Sequence, residues 1–472
     1  MQFLRSTIKA QSSSYLINLL LISSSLCIIF LFVSLFLVGS YRTSDLLSSS
    51  SHNVYAPVSL EQIVFGIASN ENSWPKKKEY VKLWWRPEKM RGCVFLESMP
   101  PDSDSQSNDS TFLPPICISE DTSRFRYTYK GGLRSAIRVA RVVLETVALN
   151  HSDVRWYVFG DDDTVFLPDN LVKTLSKYDH GLWYYIGSNS EIHEQNRYFS
   201  FEMAFGGAGF AISAPLAKVL AKVFDSCIER YPHLYGSDAR IYSCLAELGI
   251  SLTREPGFHQ FDVRGNLFGL LASHPTAPLV SVHHLDHVES IFPNLTKVKA
   301  LEHLFEAANV DQGRILQKTV CYDRWFSWTI SVSWGYAVQV FGRHMNLPDV
   351  LPVQATFQQW KKGHPKPAYT FNTRELHPDP CQRPTIFFLE NVTSGSDGIR
   401  TSYRKSYENC SLDMASPRKL DEIRVLSHKL ELDIAQLRAP RRHCCDVLPS
   451  SAGQVMDIAI RECKEEELIH MH

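Results

Sequence analysis

The chain has 472 residues, of which 44% are hydrophobic and 11% aromatic. A chain of this length and composition can bury two cores, so we expect two domains. Lysine and arginine total 49 and aspartate and glutamate total 50, so the basic excess typical of nucleic-acid-binding proteins is absent from the sequence. Nucleic acid is therefore excluded as an expected partner.

An apolar segment without a charged residue lies near the N-terminus, over residues 16–38. About 20 such residues cross a membrane of roughly 30 Å as a helix. Arg5 and Lys9 precede the segment and Arg42 follows it, which favours a cytoplasmic tail over residues 1–15. A cleaved signal peptide is the alternative, but its apolar core is usually shorter. We expect a retained transmembrane signal anchor.

Two further features agree with a lumenal location for the chain that follows a Ser-rich stem, residues 39–59. Of the eleven cysteines, Cys27 lies in the apolar segment, and the other ten show no zinc-binding spacing. Disulfides formed in an oxidising compartment are therefore expected. Two candidate pairs flank short segments: Cys93 with Cys117, and Cys227 with Cys244. Sequons for N-glycosylation begin at Asn108, Asn150, Asn294, Asn391 and Asn409.

Strand-like and helical patterns alternate from residue 60 onward. The apolar run at residues 63–68 predicts a strand, a charged amphipathic segment from Trp74 to Pro87 predicts a helix, and residues 91–96 predict a second strand. Apolar residues at helical spacing over residues 133–147 predict a long helix. This order indicates an α/β fold.

Three consecutive acids, Asp161, Asp162 and Asp163, follow an apolar strand-like run, Trp156–Phe159, after one glycine. Neighbouring carboxylates repel one another, so a hard divalent cation such as Mn²⁺ or Mg²⁺ is the expected partner, with open positions for phosphate oxygens. An exposed acidic turn is the alternative. The apolar residues on both sides of the acids favour the metal site.

Two later segments carry further candidate site residues. Gly206, Gly207 and Gly209 indicate close approach of the backbone to a ligand or an unusual φ, and a tight turn without a ligand is the alternative. Ser237 and Asp238 begin a helical pattern, where either side chain can serve as the N-cap. A carboxylate such as Asp238, next to a bound acceptor, can also act as a general base.

A strand-like segment at residues 277–282 ends in a cluster of histidines, His283, His284 and His287, with Asp286 among them. Isolated histidines are usually structural or exposed. Imidazoles at a strand end, however, can complete a metal shell begun by acids at the end of another strand.

Beyond about residue 299 the pattern changes. Large apolar residues alternate with small or polar ones from Trp328 to Val340, which predicts a half-buried strand or hairpin. Several further strand-like pieces follow, separated by proline and glycine. We therefore expect a β-rich module over residues 299–472, held by disulfides among its six cysteines, with no catalytic constellation.

The order of these motifs resembles that of the fringe-like family of β-1,3-glycosyltransferases, and more closely that of its plant members, which carry an additional C-terminal region of unknown function. The similarity covers residues 60–290. Its motifs here are Gly66-Ile67-Ala68-Ser69, Phe159-Gly160-Asp161-Asp162-Asp163-Thr164, Phe205-Gly206-Gly207-Ala208-Gly209, Gly236-Ser237-Asp238 and Val280-Ser281-Val282-His283.

The resemblance implies a GT-A type nucleotide-sugar-binding domain over residues 60–298, a UDP-sugar donor, a glycan or glycoprotein acceptor, and Mn²⁺ or Mg²⁺. It also implies a Golgi membrane protein of type II orientation. Asp161 and Asp163 match the outer acids of a DxD motif, and His283 matches the third metal ligand. Donor-binding positions carried over by the resemblance are Asp161, Asp162, Gly206, Gly207 and Gly209.

Asp238 matches the second acid of a paired-acid motif that supplies the general base, but Ser237 stands where the family has the first acid. The expected activity is a metal-dependent, inverting sugar transfer that forms a β-1,3 linkage. The departure at Ser237 favours the alternative, a catalytically inactive lectin or partner subunit with the same fold. A purely structural membrane protein is a third class, which would not bind a UDP-sugar.

Overall fold

The computed structural model describes residues 18–35, 57–100, 111–360, 368–407, 409–410, 416–449 and 453–471. Helix α1, Asn18–Leu35, carries no charged residue and is long and apolar enough to cross a membrane. This helix is compatible with the predicted single-pass anchor. The predicted tail, most of the stem and the sequon at Asn108 lie outside the described residues.

Strands and helices alternate in the first part of the chain, as the sequence pattern predicts. In chain order they are β1 Ile63–Ala68, α2 Trp74–Lys82, β2 Arg91–Leu96, β3 Ile116–Ile118, α3 Ser135–Ala148, β4 Trp156–Asp161, β5 Val165–Phe166, α4 Pro168–Leu175, β6 Tyr185–Gly187, α5 His193–Tyr198, β7 Phe210–Ser213, α6 Ala214–Arg230, α7 Ser237–Glu247, β8 Leu252–Arg254, β9 Phe258–His259, β10 Val263–Gly265, α8 Phe268–Leu271 and β11 Ser281–Val282.

Seven of these strands form one sheet in the order β3-β2-β1-β4-β7-β6-β8. Strands β1, β2, β3 and β4 run parallel to one another, and β7 is antiparallel to both β4 and β6. Helices α3, α6 and α7 cover one face of this sheet, where their apolar residues are buried against those of the strands. The predicted α/β architecture is therefore present.

Helix α3 also fixes the ends of two strands at the edge that carries the acids. The buried guanidinium of Arg138 donates to the backbone carbonyl oxygen of Ser69, which follows β1, and to that of Phe95, the last residue but one of β2. A buried arginine costs free energy unless its N–H groups are bonded. These bonds therefore hold the two strand ends in register.

The second part of the chain is rich in strands. Its elements are α9 Lys297–Val310, β12 Lys318–Asp323, β13 Trp328–Ser333, β14 Ala337–Phe341, α10 Leu347–Val350, β15 Val353–Gln354, β16 Phe357–Gln359, β17 Thr373–Arg374, β18 Thr385–Gly395, β19 Gly398–Lys405, β20 Glu422–Ser427, α11 Ile434–Arg438, β21 Cys444–Leu448 and β22 Val455–Arg461.

Eight of these strands form a sheet in the order β12-β13-β14-β18-β19-β20-β22-β21. A disulfide between Cys321 and Cys445 joins the two edge strands β12 and β21, so the sheet curves back on itself. Apolar residues of both large sheets belong to one buried cluster, and Pro57–His472 is one compact unit. The division into separate domains at residues 298 and 299 stays a prediction.

The predicted hairpin is formed by β13 and β14, but its description as half-buried is wrong. Both strands are buried along their whole length. The small and polar residues face covering segments of the chain: Ser333 Oγ donates to Leu271 O, and Gln339 Nε2 donates to Gln354 Oε1. Alternation of polarity here marks a hydrogen-bonded interface and not a solvent-facing side.

The ten cysteines outside α1 form five disulfides, and both candidate pairs are confirmed. The bridges are Cys93–Cys117, Cys227–Cys244, Cys321–Cys445, Cys381–Cys410 and Cys444–Cys463. Their presence agrees with a chain that folds in an oxidising compartment.

We expect the bridge between the sheet edges to stabilise the fold most. Its cysteines are 124 residues apart, against 17 for Cys227–Cys244, and longer closed loops remove more entropy from the unfolded chain. Replacing Cys321 and Cys445 by alanine should lower the free energy of unfolding by about 5 kcal/mol, and the matched pair Cys227 and Cys244 by about 3 kcal/mol. Guanidinium unfolding measures both, and the reverse order would contradict this assignment.

Candidate active site

The three acids lie at the carboxyl edge of the parallel strands. Asp161 is the last residue of β4 and pairs with Ala68 at the end of β1. The backbone N–H of Asp161 donates to Thr164 Oγ1, and Thr164 Oγ1 in turn donates to the carbonyl oxygen of Gly207. Thr164 therefore ties the acidic turn to the glycine-rich segment.

A short sheet brings the predicted histidine to the acids. Strand β5, directly after the acids, pairs antiparallel with β11, so that Val165 lies opposite Val282. The next residue after Val282 is His283, which places it opposite the acidic turn. Strand β9 pairs on the other side of β11. This pairing joins Val165 to Val282, which lie far apart in the sequence, and it completes the site.

One ligand atom each from Asp161, Asp163 and His283 lies within 4.8 Å of the other two. His283 Nε2 is 3.0 Å from Asp163 Oδ1 and 3.7 Å from Asp161 Oδ2. Ligands held roughly 2.0–2.1 Å from one ion are about 3–4 Å apart, so these positions fit a single Mg²⁺ or Mn²⁺ ion. The structure thus brings together all three predicted ligands.

The two acids of this group have opposite electrostatic environments. Burial raises the pKa of Asp161 to about 7, although His283 opposes the shift and 39% of the side chain is exposed; the other carboxylates add to the rise. Burial also works against ionisation of Asp163, but His283 and Lys77 hold the pKa of that carboxyl well below its usual range. Burial lowers the pKa of His283, and Asp163 and Asp161 outweigh it and raise that pKa overall.

Lys77 of α2 is a site residue that the sequence analysis missed. Its Nζ is 2.8 Å from Asp163 Oδ2 and also pairs with Asp286, whose carboxylate accepts from the hydroxyl of Tyr80. Lys77 thus pairs with a second acid, Asp286, which belongs to the histidine cluster. The run Lys76-Lys77-Lys78 gives no local signal as to which ammonium group turns inward, so only the packing of α2 identifies it.

Asp162 has a positioning role in this structure. Its Oδ2 accepts hydrogen bonds of 2.6 Å from the hydroxyls of both Ser69 and Ser73, and its side chain is buried. These bonds join the acidic turn to the end of β1 and the start of α2. The contact of Asp162 with a donor, implied by the resemblance, stays a prediction.

The glycines make room for the other site residues. A Cβ on Gly207 would lie 2.1 Å from His283 Cε1, and one on Gly206 would lie 2.5 Å from Asp238 Oδ1. Gly209 has φ +83° and approaches the ring of Phe166. The unusual φ is confirmed at Gly209, and Gly206–Ala208 form a tight 3-10 turn, as the alternative interpretation has it, whose close neighbours are protein side chains. Donor binding by these glycines stays a prediction.

Asp238 reaches the same region from α7. The expectation that Ser237 or Asp238 caps this helix is wrong, because the N-cap is Gly236 and no side chain caps the helix. Asp238 instead accepts hydrogen bonds from the backbone N–H of Gly206 and from Ser237 Oγ, and burial raises its pKa. Asp161 and Asp238 both line one cavity of about 20 Å³, enough for one water molecule.

The second part of the chain also contributes to the site, which the sequence analysis missed. Strand β16 pairs with β10, and Trp360 directly after β16 stacks on His284 with ring centroids 4.7 Å apart. His284 in turn packs at a tilt against His283, with ring centroids 3.9 Å apart, and its Nδ1 lies 3.2 Å from Asp262 Oδ1. The ring of His283 is therefore packed against His284, which in turn is packed against Trp360.

We expect Gly207→Ala to weaken Mn²⁺ binding about 10- to 100-fold, because the added methyl group collides with His283 and displaces its ring. Titration calorimetry with Mn²⁺ measures the effect. Gly236→Ala is the matched control, since no atom lies within 4 Å of its added methyl group. Equal Mn²⁺ affinity in both variants would contradict the assigned role of Gly207.

Asp161→Asn should stabilise the metal-free protein at pH 8. A pKa raised from 3.8 to about 7 means that ionisation of Asp161 disfavours the folded state. This cost is complete above pH 7 and disappears as the pH falls towards 3.8. The variant should therefore melt at a higher temperature than the wild type at pH 8 and at nearly the same temperature at pH 4.

Added Mn²⁺ should raise the melting temperature of the wild type but not that of Asp161→Asn. Asp397→Asn, on an exposed turn, is the control and should match the wild type throughout. A lower melting temperature of metal-free Asp161→Asn at pH 8 would contradict the electrostatic account of this site.

Comparison with known proteins gives a family but no activity. A family model described as "Protein of unknown function, DUF604" matches residues 195–445, more than half of the chain. This segment contains Gly206, Gly207, Asp238 and His283 but not the three acids. A search of curated proteins found no significant match.

Two solved structures similar to this chain are glycosyltransferases. The mannosyltransferase PcManGT from Pyrobaculum calidifontis, in complex with GDP-Man and Mn²⁺, is 13% identical, with 58% of this chain and 78% of that chain covered and a TM-score of 0.27. A glycosyltransferase involved in glycosylation of the major capsid of PBCV-1 is 12% identical, with 51% and 97% covered and the same TM-score of 0.27. Similarity at this level carries no argument about activity. By the family match, the chain belongs to the DUF604 family of proteins of unknown function.

Proposed function

We propose that this protein is a metal-dependent, inverting glycosyltransferase that moves a sugar from a UDP-sugar to a glycan or glycoprotein acceptor and forms a β-1,3 linkage. One observation carries the proposal: Asp161, Asp163 and His283 converge within 4.8 Å, and Asp238 lines a cavity shared with Asp161. The motif resemblance to fringe-like enzymes supports the donor, the linkage and a GT-A type domain.

Asp161, Asp163 and His283 would hold Mn²⁺ or Mg²⁺. The bound ion would supply Lewis-acid neutralisation of the diphosphate leaving group. Two acids and one imidazole suit such an ion, and few ligands from the protein leave positions for phosphate oxygens. Lys77, 2.8 Å from Asp163, adds a positive charge beside the same acids.

Asp238 would act as the general base. A carboxylate near the reacting hydroxyl takes the proton as the acceptor oxygen attacks the anomeric carbon, and a single displacement inverts the configuration without a covalent intermediate. Burial raises the pKa of Asp238, which makes it a stronger base than an exposed aspartate. The Gly206 N–H and the Ser237 hydroxyl hold the carboxylate in place.

The proposed location is the Golgi membrane, with type II orientation and a lumenal catalytic region. Helix α1 is of sufficient length and apolarity for the anchor, and the five disulfides suit an oxidising lumen.

Ser237 favours one competing function, that of an inactive lectin or partner subunit. The motif of the fringe-like enzymes has an acid at this position, whereas here the Ser237 hydroxyl donates to Asp238 over 3.1 Å. The Ser237 hydroxyl holds the Asp238 carboxylate in place, but it does not supply the negative charge of a second acid. A binding protein would retain the sugar or nucleotide affinity but would not transfer the sugar.

Transfer from a panel of UDP-sugars by the detergent-solubilised full chain with Mn²⁺ tests the proposal. Asp238→Asn should lower the transfer rate about 10²- to 10⁴-fold, as expected for loss of a general base, while Mn²⁺-dependent UDP binding remains. Asp163→Ala should abolish both transfer and Mn²⁺-dependent UDP binding. Asp397→Asn is the control with an exposed acid.

Two results would contradict the proposal. Transfer by Asp238→Asn at the wild-type rate would remove the assigned base, and UDP binding unaffected by Asp163→Ala would remove the metal site. Binding of a UDP-sugar without turnover in the wild type would favour the lectin or partner subunit.

A further inference from the structure

A second cavity, of about 230 Å³, is lined mainly by the second part of the chain and by none of the three acids. We call it the basic cavity. Five of its lining residues have cationic or imidazole side chains: Arg314, Lys318, Arg441, Arg442 and His443. Glu462 is the one acid among the described residues that line it, and its side chain is exposed. The cavity therefore carries an excess of positive charge.

The environment of Arg442 is the main evidence for a ligand in this cavity. Its half-buried guanidinium donates one hydrogen bond, from Nη1 to Lys318 O over 3.3 Å. Among the described residues no carboxylate lies within 4 Å of it, whereas the nearby Arg314 pairs with Asp311. Burying a charge without a partner is costly. Several N–H donors of Arg442 are thus left to bind something outside the protein.

His443 adds a donor to the same cavity. Its Nδ1 is 3.1 Å from Nη1 of Arg314, and because a guanidinium can only donate, Nδ1 must be the acceptor. The neutral ring then carries its hydrogen on Nε2. Burial and the charge of Arg314 lower the pKa of His443, which agrees with the neutral form.

Strand β12 adds a further charge to the lining of the basic cavity. Lys318 of β12 is buried, and its Nζ donates to Val350 O and Ser273 Oγ without a carboxylate partner among the described residues. Burial, Arg374 and Arg442 together lower the pKa of Lys318 to about 7. An anion close to Arg442 would reduce this repulsion.

The segment that carries these donors is held rigidly. Arg441, Arg442 and His443 directly precede Cys444 and Cys445, which form disulfides to Cys463 and Cys321. Donors fixed before binding lose little entropy when a ligand arrives. The arrangement is thus that of a preorganised site.

We propose that the basic cavity binds an oxyanion, a phosphate, sulfate or carboxylate group, on a molecule no larger than a monosaccharide. The planar fork of Arg442 suits two oxygens of such a group, and the Nε2–H of His443 supplies a further donor. The volume of about 230 Å³ is below that of a typical pocket for a larger ligand. This site is independent of the proposed transferase function.

Thermal unfolding of the detergent-solubilised full chain tests the proposal, with inorganic phosphate, glucuronate and N-acetylglucosamine 6-sulfate as probes and NaCl at matched ionic strength as the reference. We expect a saturable rise in melting temperature with at least one probe. Glucuronate or the sulfated sugar binding more tightly than phosphate would assign the ligand to an acidic sugar. Equal or tighter binding of phosphate would assign it to a free anion.

Arg442→Gln should weaken the binding about 10- to 100-fold, as expected for loss of charge-assisted hydrogen bonds. The same variant should melt at an equal or higher temperature without anion, because it removes a half-buried charge that has no carboxylate partner among the described residues. Arg424→Gln, which removes an exposed arginine paired with Glu422, is the control and should bind as the wild type does. Asp163→Ala should also retain anion binding, which separates this proposal from the transferase proposal.

Arg442→Lys keeps the charge without the planar fork, and it replaces Arg442→Gln if that variant does not fold; its affinity should also fall. Absence of a saturable effect with all three probes would overturn the proposal. So would an undiminished effect in the Arg442 variants.

Discussion

The repulsion among three adjacent carboxylates is the constraint around which this edge of the sheet is built. Different partners offset this repulsion at each of the three acids. Asp162 accepts from two serine hydroxyls, and Asp163 lies between His283 and Lys77. Asp161 is the least compensated, and its raised pKa records that imbalance. A divalent cation bound between Asp161 and Asp163 would relieve the repulsion that remains.

Much of the fold could be predicted because it depends on local patterns. The strands at Ile63–Ala68, Arg91–Leu96 and Trp156–Asp161 are continuous apolar runs, as expected for parallel strands covered on both faces. The pairs Cys93–Cys117 and Cys227–Cys244 close short segments. The candidate metal ligands could be found for the same reason, since each directly follows a strand-like run.

The rest depends on contacts between distant parts of the chain. Nothing near Lys77 in the sequence distinguishes it from its lysine neighbours, and nothing near Trp360 in the sequence indicates that it stacks on His284. The polar residues of the β13–β14 hairpin look solvent-facing until the segment that covers them is known. Asp238 was open to two interpretations because capping depends on backbone angles that the residue types alone do not determine.

The pairing of β16 with β10 has a consequence for how this protein can change over evolutionary time. It places Trp360, which lies in the strand-rich half, beside the imidazole pair that completes the acid cluster in the other half. An exchange of the C-terminal half with an unrelated one would remove that indole and leave His284 without its stacked neighbour. Each half therefore depends on the other at this contact, and a replacement of either one would need a new residue to pack against the histidine pair.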